Sequence, residues 1–106
     1  INNIKVRFQK ISDLSPKDLR KLVDEGKNYL KEGIVIVCAS KDDKVGLAIG
    51  VTNNLTKDYD AVQLVKVGSE IIGGKGGGGR KDFAQAGGNK VEMIDEAFKK
   101  IRTLIK

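Results

Sequence analysis

The segment GGKGGGGRKDFAQAGG, residues Gly73–Gly88, contains eight of the 13 glycines of this 106-residue chain. Glycine loses more backbone freedom on folding than any other residue, so the ordered run Gly76–Gly79 would be costly to form. Ordered glycines reach positive φ angles and bring bare backbone N–H groups against an anion. Lys75, Arg80 and Lys81 add positive charge beside those groups. The segment therefore indicates a phosphate-binding loop, with a passive linker or a tight structural turn as the alternative.

Two nucleotide-binding motifs match the segment by spacing but not by context. Gly74, Gly76 and Gly79 satisfy G-x-G-x-x-G. The dinucleotide fingerprint follows a strand and opens a helix, whereas this one follows a predicted helix. The same glycines also begin a P-loop pattern, but Arg80 and Lys81 stand where a P-loop has Lys and Ser or Thr. The sequence excludes both motifs.

Two side chains inside the segment have more than one interpretation. Asp82 is a candidate metal ligand, but no carboxylate cluster joins it in sequence, so capping or pairing with Arg80 is favoured. Phe83 is predicted to be a core residue because Ala84 and Ala86 follow it, with a base-stacking platform as the alternative. The chain has three Phe, two Tyr and no Trp, so recognition dominated by stacking is not expected.

Upstream of the segment, the hydrophobic pattern predicts a strand, a helix and a β-hairpin. Apolar and polar residues alternate over Ile4–Phe8, which is typical of a strand with one solvent-exposed face. Ser15-Pro16 are suited to open a helix that buries its leucines and Val23 and ends at Gly33. The apolar run Ile34–Ala39 indicates a central strand covered on both faces. Val45–Val51 alternates large residues with Gly and Ala, and its smooth face predicts a closely packed helix.

Two further helices are predicted on either side of the glycine-rich segment. The first runs from about Tyr59 to Ile72, and the second begins at an approximate capping box of Asn89 and Glu92. The core residues predicted for the second helix are Val91, Ile94, Phe98, Ile101 and Ile105. Its late cations are Lys99, Lys100, Arg102 and Lys106. A solvated helix end is favoured for these cations, and a contribution to RNA binding is the alternative.

Together these elements predict one α/β domain of the α+β type over residues 1–106. About three helices pack on a small mixed or antiparallel sheet, in the order β-α-β-β-α, glycine-rich loop, α. The chain opens at Ile1 without Met, which suggests a piece of a longer protein.

The charge and the rare residue types limit the function. Lys and Arg number 20 against 14 Asp and Glu, and this excess favours a polyanionic partner such as nucleic acid. The chain has no His, so catalysis, a metal site or a bound cofactor within it is not expected. Cys38 stands alone in an apolar run, which predicts a buried thiol and a reducing, cytoplasmic location. No apolar run is long enough for a membrane helix, so no membrane partner is expected.

GGKGGGGRKDFAQAGG resembles the signature of the DHH-associated domain, which closes alanyl-tRNA synthetases and DHH-type phosphoesterases. Residues Asp82–Gly88 resemble the synthetase branch, in which Asp and an aromatic residue or Met precede Ala-Gln-Ala-Gly-Gly. The phosphoesterase branch has a His after its glycines, and this chain has none. The resemblance covers nearly the whole chain, and it favours the synthetase branch.

The resemblance implies a non-catalytic domain that holds tRNA at its outer corner and links aminoacylation with editing. The parent enzyme would use ATP and Mg²⁺ to charge tRNA and Zn²⁺ to edit it, all in other domains of the synthetase. In some members this region also takes part in homodimer formation. The site residues that the resemblance implies are Gly74, Gly76, Gly77, Gly78, Gly79, Arg80, Gln85, Gly87 and Gly88. The positive charges of Lys75 and Lys81 add these two residues to the predicted tRNA site.

Two other functions stay open from the sequence. The chain would be the substrate-binding half of a DHH-type phosphoesterase if Asp-His-His metal ligands preceded it. It would be a protein-interaction or dimerisation module if its glycines only permitted tight packing.

Overall fold

A computed structural model of the chain describes residues 5–12, 18–74 and 77–105. The elements in chain order are β1 (Val6–Ser12), α1 (Leu19–Leu30), β2 (Ile34–Lys41), β3 (Lys44–Val51), α2 (Ala61–Ile71), β4 (Gly78–Gly79), β5 (Phe83–Gly88) and α3 (Ile94–Leu104). Short 3₁₀ turns at Asn53–Leu55 and Val91–Met93 precede α2 and α3. The predicted α/β class, with three helices on one mixed sheet among these residues, is confirmed.

The sheet has the strand order β1-β2-β3-β5-β4, in which only the β1–β2 pair is parallel. The parallel pair needs the crossover that α1 provides. The glycine-rich segment was predicted as a loop, but its described residues supply β4 and β5. Glycine and alanine are poor strand formers, so this prediction was wrong for a physical reason: pairing with β3, from Val45–Gly88 to Gly50–Phe83, overrides local propensity.

Helices cover both faces of the sheet. α2 and α3 pack over residues such as Ile36, Leu47 and Ala84, and we call this side the two-helix face. α1 packs over Val37 and Ala48 on the other side, which we call the α1 face. The apolar run in β2 is buried on both faces, so its predicted central position is confirmed.

α1 lies very close to the sheet because glycines meet there. A Cβ added at Gly50 would meet Val23 Cγ1 and would lie 2.9 Å from Lys27 Cδ. A Cβ at Gly26 would lie 2.9 Å from Val35 Cγ1. The helix predicted to pack on the smooth face of β3 is therefore confirmed. Its predicted apolar residues Leu19 and Val23 are buried, and Leu22 and Leu30 are half-buried.

The predicted end of α1 at Gly33 is wrong. The helix ends at Leu30, and Lys31 takes the positive φ of 63° that follows it. Gly33 is needed for a different reason, since a Cβ there would meet the carbonyl oxygen of Lys5. Its N–H donates to Thr52 Oγ1 at 3.0 Å. The predicted start of α1 at Ser15-Pro16 lies outside the described residues.

A side-chain hydrogen bond caps the start of α2, whereas the start of α3 has no such cap. Asp60 Oδ1 accepts a hydrogen bond from the Val62 N–H at 2.9 Å, so Asp60 is the N-cap of α2. α3 begins after a 3₁₀ turn with no side-chain cap, so the predicted Asn89–Glu92 capping box is wrong. The Asn89 N–H instead donates to the Ile72 carbonyl at 3.0 Å and ties this turn to the end of α2.

The predicted core residues of α3 point to the sheet. Ile94, Ile101 and Ile105 are buried, while Val91 and Phe98 are partly buried against them. The lone thiol of Cys38 lies in the same core. Burial raises the pKa of the Cys38 thiol to about 12, against a smaller lowering by the charge of Lys10. The prediction of a buried core cysteine is confirmed.

Candidate nucleic-acid interface

The hairpin of β4 and β5 ends in a two-residue turn. The Arg80 N–H donates to the Phe83 carbonyl at 2.7 Å, and the Phe83 N–H donates to the Arg80 carbonyl at 3.3 Å. Lys81 and Asp82 are therefore the turn residues. Arg80 Nε lies 3.8 Å from Asp82 Oδ1, which confirms the pairing favoured from the sequence. The Arg80 side chain is 72% exposed, so this pair contributes little to stability and leaves the guanidinium accessible.

Three elements hold the backbone of this turn. The Asp82 carbonyl accepts hydrogen bonds from the Val51 N–H at 2.9 Å and from Lys27 Nζ at 3.2 Å. The Lys81 carbonyl accepts one from the Ala61 N–H at 3.0 Å, in the first turn of α2. β3, α1 and α2 therefore fix the turn, and its exposed basic side chains extend from an ordered backbone.

Four glycines of the segment lie against other backbone groups, and we call them the packed glycines. They are Gly74, Gly77, Gly79 and Gly88. A Cβ at Gly79, where φ is 152°, would meet the Phe83 carbonyl oxygen and would lie 2.6 Å from Ala84 Cα. A Cβ at Gly88 would meet the Ile72 carbonyl oxygen, and one at Gly77 would lie 2.5 Å from that of Gln85. At Gly74 it would meet Ser69 Oγ and the Gly87 carbonyl oxygen. The fold itself requires glycine at these positions.

Two glycines have no such neighbour, and we call them the open glycines. A Cβ at Gly78 would have no described heavy atom within 4 Å. A Cβ at Gly87 would lie 3.6 Å from the Val45 carbonyl oxygen, which is an ordinary contact. Both residues are exposed, and neither has a positive φ. Within the described structure, the fold does not require glycine at either position.

The open glycines lie on one side of the hairpin. Gly78 pairs with Gln85, and paired residues of an antiparallel ladder share a face. Ala84 is buried on the two-helix face, so alternation along β5 places Gln85 and Gly87 on the α1 face. Gln85 is exposed there. We call the surface formed by Gly78, Gln85 and Gly87 the open hairpin face.

One backbone donor of the hairpin points away from the sheet. Because Arg80 and Phe83 exchange both of their hydrogen bonds, the next pair, Gly79 and Ala84, is a non-hydrogen-bonded pair. β4 is the last strand of the sheet among the described residues, so the Gly79 N–H points away from β5 toward the outer edge. Other amides of the segment are used within the fold, since the Gly74 N–H donates to the Ser69 carbonyl at 2.7 Å. The Gly74 amide, one of those predicted to face an anion, is therefore used within the fold.

The predicted site residues divide by position. The hairpin brings together Gly77, Gly78, Gly79, Arg80, Lys81, Gln85, Gly87 and Gly88. Gly74 lies just after α2, and Lys75 and Gly76 lie outside the described residues.

The sequence interpretation missed Arg20. Its guanidinium carbon lies 5.1 Å from the centroid of the Phe83 ring, on the α1 face. Phe83 is half-buried against the α1 core cluster, so the core interpretation of this residue is confirmed. No local pattern links two residues so far apart in sequence, and only the fold brings them together.

Metal binding finds no support among the residues that the structure describes. No group of three or more His, Cys, Asp or Glu side chains is placed there to hold an ion. Asp82 pairs with Arg80 instead. In the described ranges, no helix is long and apolar enough to cross a bilayer.

Comparisons with known proteins agree with this architecture. The family model described as the DHHA1 domain matches residues 3–106. The chain is 47% identical over 103 residues to the alanine–tRNA ligase of Parvibaculum lavamentivorans, covering 96% of the chain and 12% of that protein. It is 42% identical over 106 residues to the alanine–tRNA ligase of Hyphomonas neptunium, covering 100% of the chain and again 12% of the relative.

A solved structure has the same fold. The crystal structure of the C-Ala domain from Aquifex aeolicus alanyl-tRNA synthetase superimposes with a TM-score of 0.90 at 27% identity. The match covers 97% of this chain and 92% of that domain. The chain spans about an eighth of the length of the curated relatives, 12% in each case. From its sequence and its fold together, the chain belongs to the DHHA1 domain family.

Proposed function

We propose that this chain is the tRNA-binding C-terminal domain of an alanine–tRNA ligase. The observation that carries the proposal is the anchored hairpin, which presents Arg80 and Lys81 on a fixed backbone beside the open glycines. Similarity to alanine–tRNA ligases supplies the class of RNA. The net charge of +6 suits a polyanionic partner.

The chemistry of such a site is phosphate binding rather than base reading. Arg80 offers a planar set of N–H donors that matches a phosphate, and the Gly79 N–H adds a backbone donor at the sheet edge. Exposed glycines let the sugar-phosphate backbone approach without a side chain between them. Contacts of this kind fix the position of the RNA and carry little sequence information.

The proposal includes the parent enzyme. Its other domains would join alanine to tRNA with ATP and Mg²⁺ and would edit mischarged tRNA at a Zn²⁺ site. The donor set of this chain does not fit those ions, since it has no His and the described residues offer no carboxylate cluster. Holding the outer corner of one tRNA would link the two activities. We place the parent enzyme in the cytoplasm.

The test is tRNA affinity as a function of salt for the full-length protein, with Arg80→Ala compared against Arg102→Ala. Arg102 is an exposed arginine on α3, so its substitution removes the same charge on the opposite side of the sheet. We expect Arg80→Ala to weaken binding by about fivefold and to lower the salt slope by about one. Arg102→Ala should stay within about twofold of wild type, in line with a weak, distant charge effect.

Two outcomes would contradict the proposal. Equal affinity and equal salt slope for wild type and Arg80→Ala would remove the hairpin from the tRNA site. Sedimentation of the full-length protein with and without tRNA tests the alternative role. A dimer that forms without regard to tRNA, and that is lost in hairpin variants, would favour an interaction module.

A further inference from the structure

We propose that Arg20 is a further RNA-contacting residue, held by Phe83 beside the open hairpin face, so that RNA lies on the α1 face of the domain. This inference rests on the proposed tRNA binding and adds to it a direction of approach. Arg20 belongs to α1, far in sequence from the glycine-rich segment. It is not among the site residues that the family resemblance implies.

Phe83 fixes the place of the Arg20 side chain. The ring is half-buried among the residues of the α1 core cluster, so its own position is determined by packing. The Arg20 guanidinium lies over it, with 5.1 Å from the guanidinium carbon to the ring centroid. Such a contact restrains a long side chain that would otherwise be mobile. A guanidinium has five N–H donors, and the contact of its carbon with the ring face uses none of them as a hydrogen bond to another residue, so they can serve an anion.

The helix dipole does not favour a cation at this position. Arg20 and Lys21 lie in the first turn of α1, which contains no acidic residue. The positive end of the helix dipole lies there and disfavours cations. Both side chains are exposed, and Asp18 is the N-cap residue before them. A negatively charged partner would benefit from the two cations and from the helix end together.

Arg20 and the open hairpin face lie on the same side of the sheet. Phe83, Gln85 and Gly87 alternate along β5, so all three face the α1 side. From Phe83 to Gly87 the strand advances about 13 Å. A nucleic-acid strand carries several phosphates over a length of that order. One strand can therefore contact Arg20 at one end of this surface and the open glycines along it.

The opposite side of the hairpin offers no comparable approach. Ala84 is buried, Ala86 packs against the core, and Gly88 lies against Ile72. Lys99, Lys100 and Arg102 of α3 lie on that side, where they were the alternative RNA contact considered from the sequence. Lys106, the fourth cation of that alternative, lies outside the described residues. The two surfaces therefore make opposite predictions for arginine substitutions.

The experiment compares Arg20→Ala with Arg7→Ala in the full-length protein, measuring the dissociation constant for tRNA and the unfolding temperature. Arg7 is a matched control because its guanidinium lies 5.5 Å from the ring centroid of Tyr29. It makes the same kind of contact on β1, also on the α1 face but at the opposite edge of the sheet from β4, so it separates a contact beside the hairpin from any charge on that face. We expect Arg20→Ala to bind about three- to tenfold more weakly, and Arg7→Ala to stay within about twofold.

A second variant tests the role of the ring. Phe83→Leu keeps an apolar side chain and removes the stacking surface, so binding should weaken by a smaller factor than in Arg20→Ala. The double variant should bind no more weakly than Arg20→Ala alone, because the ring acts only through the arginine. Fully additive losses would mean that Phe83 contacts RNA itself, and they would overturn its role as the residue that holds Arg20.

The remaining outcomes separate this inference from the proposed function. Normal affinity for Arg20→Ala with a loss for Arg80→Ala would overturn the inference and keep the hairpin as the tRNA site. Normal affinity for both variants would overturn the inference and the proposed function together. Equal losses for Arg20→Ala, Arg7→Ala and Arg102→Ala would mean a diffuse charge effect, and they would also overturn it.

Discussion

The packed glycines and the open glycines lie in the same short segment, yet their surroundings differ. A Cβ at Gly79 or Gly88 would meet backbone atoms, whereas a Cβ at Gly78 or Gly87 would meet none closer than 3.6 Å among the described residues. Glycine density in a sequence therefore mixes two causes. One is the close packing of the two hairpin strands on each other and on the end of α2. The other, under the proposed function, is access for RNA.

The two faces of β5 show the same division. Toward the two-helix face, small residues let the strand pack on α2 and on the core. Toward the α1 face, the helix covers the strand only at Phe83, and the rest is exposed. Exposed glycines that no packing contact requires leave room for the backbone of a ligand to approach the strand.

The largest difference is expected between Gly79→Ala and its neighbour Gly78→Ala. Gly79→Ala would place a Cβ against the Phe83 carbonyl oxygen in a backbone conformation that L residues rarely adopt. We expect it to lower the free energy of unfolding by about 2–4 kcal/mol. Gly78→Ala should be neutral or should raise it by about 0.4–1 kcal/mol, because alanine restricts the unfolded chain. Urea unfolding of both variants measures the difference. Equal stability would remove the distinction between the two glycines.

A smaller difference is expected on β5, between Gly88→Ala and Gly87→Ala. A Cβ at Gly88 would meet the Ile72 carbonyl oxygen and would lie 2.8 Å from Ile72 Cγ1, but unlike Gly79 this residue has no positive φ. We therefore expect a loss of about 1–3 kcal/mol for Gly88→Ala. Gly87→Ala should change stability by no more than about 0.5 kcal/mol. Thermal unfolding of the matched pair checks this, and a greater loss for Gly87→Ala would contradict the account.

The smallest effect is expected at Cys38, whose labelling reports opening of the core on the two-helix face. With its pKa raised to about 12 by burial, the thiol stays protonated near pH 8 and is inaccessible to an alkylating reagent. Labelling should therefore require unfolding. We expect Gly78→Ala to label at the wild-type rate and Gly79→Ala to label faster. Fast labelling of the folded wild-type protein would show that the core around Cys38 opens locally.

The sequence predicted much of the fold because its patterns are local. A continuous apolar run identified the central β2, and periodicity identified the apolar face of α3 and the smooth face of β3. The hairpin escaped prediction, because Gly78–Gly79 and the Gly- and Ala-rich β5 have no hydrophobic alternation and form strands only by pairing with β3. The end of α1 was misplaced because Gly33 serves a close approach to Lys5 instead of a helix end.

Only some residues of the candidate site could be predicted from the sequence. Arg80 and Lys81 stand beside the glycines and could be predicted, whereas the use of the Gly74 N–H in a hydrogen bond to the Ser69 carbonyl could not. Arg20 could not be predicted, because its link to the site is a contact with Phe83 that exists only in the folded domain. The division of the glycines also depends on what surrounds each one, which composition does not reveal.

The most direct test of the central claim is the tRNA affinity of the double variant Gly78→Ala/Gly87→Ala in the full-length protein. Both substitutions leave the fold and the net charge unchanged, so any loss reports the space above the open hairpin face. We predict an unfolding temperature equal to or slightly above that of wild type and binding weaker by about tenfold, the cost of one or two lost hydrogen bonds to phosphate. Wild-type affinity with wild-type stability would contradict the claim that RNA approaches the domain there.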